Sequence, residues 1–100
     1  MEINTSKVKT YVGFAVKSRK IKFGVDDIIK LKSANLILAS DALAESGLGK
    51  LKSYALKKSI EIIVIDKICF NDIIQNISVK AAAILDYNLA DAIKKNLANN

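Results

Sequence analysis

One hundred residues, 51% of them apolar, suffice for a single domain with one core, expected over residues 1–100, and are too few for two. A lone cysteine, Cys69, rules out an internal disulfide, and the complete lack of histidine removes the usual metal-site combinations, so neither metal nor cofactor is expected. The net charge of +6 is uneven: residues 1–60 carry +7 and residues 61–100 carry −1, a field that suits nucleic acid or, equally, a solvated lysine-rich surface.

The chain opens on a polar segment in which Thr5 or Ser6 can cap a helix. Val8, Tyr11, Val12, Ala15 and Val16 then recur at helical spacing and give that helix one core face. Gly13 costs on the order of 1 kcal/mol inside a helix, which points to a close packing contact. A short basic strand over residues 20–23 meets Gly24, and a second helix opens at once with Asp26 and Asp27 and reaches Lys32 or Ser33. Strand-to-helix junctions of this kind are where α/β domains commonly place ligands.

Residues 35–40 form a continuous apolar run closed by Asp41, the pattern of a central strand covered on both faces. A polar loop over 41–47 offers Ser46 as the cap of a third helix, whose buried stripe is Leu48, Leu51 and Ala55 and whose surface carries Lys50, Lys52, Lys57 and Lys58. A second apolar strand covers 60–65 and ends at Asp66. A fourth helix over 70–76, a strand over 79–85 and a last helix over 89–98 complete the order, with Asp91 and Lys95 at favourable i,i+4 spacing. Cys69 fits a buried apolar position. Strand and helix thus alternate four times after an opening helix. The expected architecture is α/β: a three-layer α/β/α sandwich with a four-stranded mixed sheet and about five helices.

Motifs for catalysis fail on inspection. Gly47-Leu48-Gly49-Lys50 lacks the glycine of a Walker loop, where Ala44 stands, and the hydroxyl residue after the lysine, where Leu51 stands. Without histidine the serines have no triad partner, and adjacent carboxylates such as Asp26 and Asp27 point about 100° apart on a helix. The chain reads as a non-enzyme with no catalytic residues. No apolar run approaches the roughly 18 residues of a membrane span, and nothing of signal-peptide type follows Met1, so a cytoplasmic protein without membrane contact is expected.

The stretch Ser18-Arg19-Lys20-Ile21-Lys22-Phe23-Gly24-Val25-Asp26-Asp27-Ile28-Ile29-Lys30 resembles the Gly-Lys-Ile, Gly, Asn-Glu, Lys signature of the ribosomal protein L-seven-Ae and L-thirty-e superfamily, with its small bacterial members of the YlxQ type. Asn35 to Asp41 is similar to that family's apolar strand ending in Ala, one residue, then Asp. The resemblance spans about residues 5–98 and implies a binder of structured RNA, ribosomal RNA among the candidates; a monomer is expected. The typical target is a kink-turn, a bent duplex held by tandem sheared G·A pairs. Carried over by position, it places RNA contacts at Lys20, Lys22, Gly24, Asp26, Asp27 and Lys30. A second contact falls on the loop 77–82, through Ile77, Val79 and Lys80, which would cover a flipped-out base.

The chain departs from the family in having Asp26 for Asn and Asp27 for Glu. Aspartate lacks the amide donors that bond guanine acceptors, a change worth roughly 1–3 kcal/mol of base recognition. Asn76 stands where the fourth helix of the family has glycine, and Lys80 where its loop has a small residue. A protein-interaction or scaffold domain of the same fold, with specific kink-turn binding lost, is the alternative reading.

Overall fold

The structure is a computed structural model that describes residues 5–76 and 78–98. The order of elements is α1 (Thr5–Lys17), β1 (Ile21–Phe23), α2 (Val25–Ile28), β2 (Leu36–Ser40), α3 (Glu45–Lys58), β3 (Ile62–Ile65), α4 (Lys67–Ile74), β4 (Ala81–Ile84) and α5 (Tyr87–Ala98). The four strands form one mixed sheet in the order β1-β4-β2-β3, with β2 and β3 parallel and both neighbours of β4 antiparallel to it.

The sheet separates two apolar layers, because successive side chains of a strand point to opposite faces. Leu36 and Leu38 of β2 with Ala82 and Ile84 of β4 meet α1, α4 and α5, where Val8, Val12, Phe70, Ile73, Ala90 and Ile93 are buried. Ile37 and Ala39 with Ala81 and Ala83 meet α2 and α3, through Ile28, Leu51, Tyr54 and Ala55. All five residues of β2 are buried, as the continuous apolar run requires. The three alanines of β4 are buried between the two helical layers. The α/β/α sandwich follows from this arrangement.

Helix boundaries differ from the periodicity for identifiable reasons. Asp66 does more than end a strand: its Oδ1 accepts the Cys69 N–H at 2.8 Å, so α4 begins at Lys67, three residues before the expected start, and ends at Ile74 rather than at residue 76. Asp86 does the same for α5 by accepting the Leu89 N–H at 2.9 Å, which moves the helix start to Tyr87. Ser46 caps nothing. The α3 N-cap is Ala44, without a side-chain bond, because the Ser40 hydroxyl accepts the Ala42 N–H at 3.1 Å and the Leu43 N–H bonds Ser40 O at 3.0 Å, turning the chain early. Thr5 and Ser6 both lie inside α1.

The second helix is a single turn rather than a segment reaching residue 32 or 33. Beyond Ile28 the chain tightens into a turn in which the Leu31 N–H bonds Ile28 O at 3.0 Å; further on, the Leu31 carbonyl accepts the Tyr54 hydroxyl at 2.9 Å and the Asn35 N–H donates to Ile84 O at 2.8 Å. The expected strands shorten similarly, 60–65 to Ile62–Ile65 and 79–85 to Ala81–Ile84. Cys69 is half-buried rather than buried, packed beside the α4 core residues. Gly13 has no close neighbour: a Cβ built there meets no atom within 4 Å.

Candidate functional site

Among the described residues β1 is a three-residue edge strand that pairs with β4 alone, as Ile21 with Ile84, Lys22 with Ala83 and Phe23 with Ala82. Ile21 and Phe23 pack against the α1–α4–α5 core, which turns Lys22 to the other face, where it is exposed. The strand ends at Gly24, whose φ of 90° and ψ of 139° lie outside the region open to ordinary L residues. The glycine is thus required by the backbone itself. Its N–H donates to Ala81 O at 3.0 Å, extending the β1–β4 pairing by one residue into the junction.

That bond brings the two halves of the expected site together. Ala81 follows Lys80, and the Lys80 carbonyl accepts the Ser40 N–H at 2.9 Å. The loop before β4 is therefore bonded on one side to the Gly24 corner and on the other to the end of β2. Within the loop, Asn76 Oδ1 accepts both the Ser78 N–H at 3.1 Å and the Ser78 hydroxyl at 2.7 Å, and the Val79 N–H donates to Asn76 O at 3.1 Å. The left-handed position that ends α4 falls on Gln75, with φ 62°, and not on Asn76. Val79 packs partly buried against the core rather than presenting a fully open apolar surface, and Ile77 lies outside the described residues.

Lys20, Lys22, Lys30 and Lys80 are exposed, and among the described residues none of the four forms an ion pair. Asp26 and Asp27 are exposed in the first turn of α2, with no basic partner among the described residues. The corner thus offers exposed ammonium donors and a pair of acceptor-only carboxylates. It has the chemistry of a polar binding surface. Among the described residues no group of three His, Cys, Asp or Glu side chains gathers in a metal-binding arrangement, and no helix is long and apolar enough to cross a membrane.

Two features of the structure escape a reading of the sequence. Asp41 braces the strand ends: its Oδ1 accepts the Lys67 N–H at 2.9 Å, joining the β2–α3 loop to the start of α4. The flank of α3 that faces α2 forms a groove with Ile29, lined by Gly49, Lys50, Ser53, Tyr54 and Lys57. Only the spacing of Lys50 and Lys57, seven residues apart, hinted at a shared face.

The α/β/α architecture recurs in solved structures. One, described as the structure of a protein with unknown function from Bacillus halodurans, superposes with a TM-score of 0.81 over 93% of this chain and 98% of its own, at 14% identity. That likeness establishes the fold. No protein-family model matches the chain, and no curated protein matches it.

Proposed function

We propose that this chain is a non-enzymatic RNA-binding protein of ribosome-associated type that takes a structured, kink-turn-like RNA at the Gly24 corner and the loop before β4. The observation that supports this most is the bond from Gly24 N–H to Ala81 O, because it joins two segments distant in sequence into one surface. The residue pattern of 18–30, resembling the L-seven-Ae and L-thirty-e signature, supplies the class of ligand. Lys20, Lys22, Lys30 and Lys80, none of them paired with a carboxylate among the described residues, are available to phosphates. Asp26 and Asp27 accept hydrogen bonds but donate none, so they read exocyclic amino groups and repel guanine O6 and N7.

The test is a gel-shift titration of wild type and Lys30→Ala on a kink-turn RNA and on a duplex of equal length lacking G·A pairs. Wild type is expected to prefer the kink-turn, and Lys30→Ala to weaken it. Absence of any shift at low salt refutes the reading for this class of RNA. The exposed, unpaired carboxylates favour a second reading, a protein-interaction domain of the same fold. Strong gain of kink-turn binding by Asp26→Asn, in a protein otherwise inactive on that RNA, would support it.

A further inference from the structure

The two helical layers differ in how their lysines are neutralised. On the side of α1, α4 and α5, Lys9 meets Asp72 at 3.1 Å, Lys95 meets Asp91 at 3.1 Å, and Lys94 reaches Glu61 at 3.3 Å. On the side of α2 and α3, Lys30, Lys32, Lys50, Lys52, Lys57 and Lys58 form no ion pair among the described residues. On the opposite layer Lys17 and Lys67 are also without an ion pair among the described residues, and Asp26, Asp27 and Glu45 offset part of the charge beside α2 and α3, so the α2–α3 layer holds the larger group of unpaired lysines.

Within that layer the charge is ordered. Ser46, Lys50, Ser53 and Lys57 follow one another at steps of four, three and four, which at about 100° per residue places them within about 60° of each other on one flank of α3. Glu45, the acidic residue of the helix, lies roughly 100° away from that flank. The flank therefore carries two ammonium groups and two hydroxyls and no carboxylate. It faces a groove of about 570 Å³ whose opposite wall is Ile29. Lys50 and Lys57 stand about 10 Å apart along the helix axis. Gly49, between Ser46 and Lys50, has no atom within 4 Å of where a Cβ would be, so the ridge is low at this point and a ligand backbone can come near.

The groove adjoins the corner through the chain itself. Ile29 is the neighbour of Lys30, and the Tyr54 hydroxyl, donated to Leu31 O at 2.9 Å, ties the chain beyond α2 to α3. A donor-rich groove matches phosphate oxygens, which are acceptors.

We propose that the α2–α3 groove is a phosphate track, in which Lys50, Ser53 and Lys57 hold the backbone of the RNA arm that leaves the Gly24 corner. This rests on the RNA reading of that corner and extends its footprint along α3. Lys50 and Lys57 add affinity and salt dependence without reading sequence, whereas discrimination between RNAs stays with the corner.

Fluorescence anisotropy on a synthetic kink-turn hairpin with extended arms tests it, using wild type, Lys50→Gln/Lys57→Gln, and Lys94→Gln/Lys95→Gln, a pair of equal charge change on the opposite layer. Each phosphate contact contributes roughly 0.7–0.9 to the slope of log affinity against log salt, so removing two should make the loss of affinity between about 50 and 200 mM salt roughly tenfold smaller. The preference for the kink-turn over a plain duplex is expected to persist, and the Lys94/Lys95 pair to keep the wild-type slope. An unchanged slope for the Lys50/Lys57 pair while wild type binds overturns the track and spares the corner. Equal slope changes in both double variants reduce the effect to net charge and also overturn it. Failure of wild type to bind the hairpin at low salt removes the corner reading and the track together.

Discussion

Gly13 and Gly24 provide a controlled comparison of what glycine does in this chain. A Cβ added at either position meets no atom within 4 Å, so neither alanine substitution introduces a clash. The backbone differs: Gly13 lies inside α1, whereas Gly24 has φ 90°. Gly13→Ala removes the entropic penalty of glycine in a helix and should stabilise by about 0.5–1 kcal/mol. Gly24→Ala forces an L residue into a region that costs of order 1–3 kcal/mol.

Relaxation of φ to a negative value would avoid that strain at the expense of the Gly24 N–H to Ala81 O bond, worth about 0.5–1.5 kcal/mol. Reduced freedom of the unfolded chain returns roughly 0.4–1 kcal/mol, leaving a net loss of about 1 kcal/mol for Gly24→Ala. Urea unfolding followed by circular dichroism reads the difference. With a slope of about 1 kcal/mol per M for a domain of this size, the two midpoints should separate by roughly 1–2 M, with wild type between them. Coincident midpoints, or a Gly24→Ala protein as stable as wild type, would refute the assignment of Gly24 to a glycine-only conformation.

Tyr54→Phe should destabilise by about 1 kcal/mol, since it deletes the hydroxyl bond to Leu31 O in a side chain only 7% exposed. Burial pushes the Tyr54 phenol above its usual 10.0, so its contribution is intact below the unfolded value and fades as pH rises through the raised folded value; alkaline urea titrations should lose less stability for Tyr54→Phe than for wild type above about pH 10. Gln75→Gly should stabilise by up to about 1 kcal/mol in the same unfolding assay, because Gln75 holds the left-handed position that ends α4. Burial first, then the nearby Asp66 and Asp72 charges, raise the Cys69 thiol, so iodoacetamide should modify it more slowly than a free cysteine at neutral pH and accelerate on unfolding.

The alternation of apolar runs and amphipathic segments was sufficient to read the sandwich, because β2 and the core stripes of α1, α3 and α5 carry periodicities that survive tertiary context. The positions of α4 and α5 were obscured by Asp66 and Asp86, which look like strand terminators and act as helix caps. Nothing local reveals that the chain beyond α2 is held by Tyr54, whose hydroxyl bonds the Leu31 carbonyl from 23 residues away. The candidate corner was legible from the charge pattern around Gly24, but its contact with the loop before β4 depends on β4 inserting between β1 and β2. The proposed α3 flank is not legible in the sequence, because its lysines are equally the solvated cover of a buried stripe until α2 is placed beside them.

The insertion of β4 also determines how the corner can work. Two consecutive residues of one backbone segment carry the connections: Lys80 O receives the Ser40 N–H, and Ala81 O receives the Gly24 N–H. Among the described residues β1 has no other sheet neighbour, so its place in the sheet is set by this segment and by the three residue pairs beyond it. Displacing the loop in the sheet plane must move Gly24 with it or break a ladder bond. The two parts of the proposed RNA surface therefore belong to one bonded unit before any ligand arrives. A ligand that needs both does not have to supply the ordering of one against the other, a cost that otherwise subtracts from affinity. The α3 flank stands outside this unit, fixed by Tyr54 to the far side of α2. Its lysines can therefore gain or lose phosphate contacts without altering the corner's geometry, which is why discrimination between RNAs should survive the loss of Lys50 and Lys57.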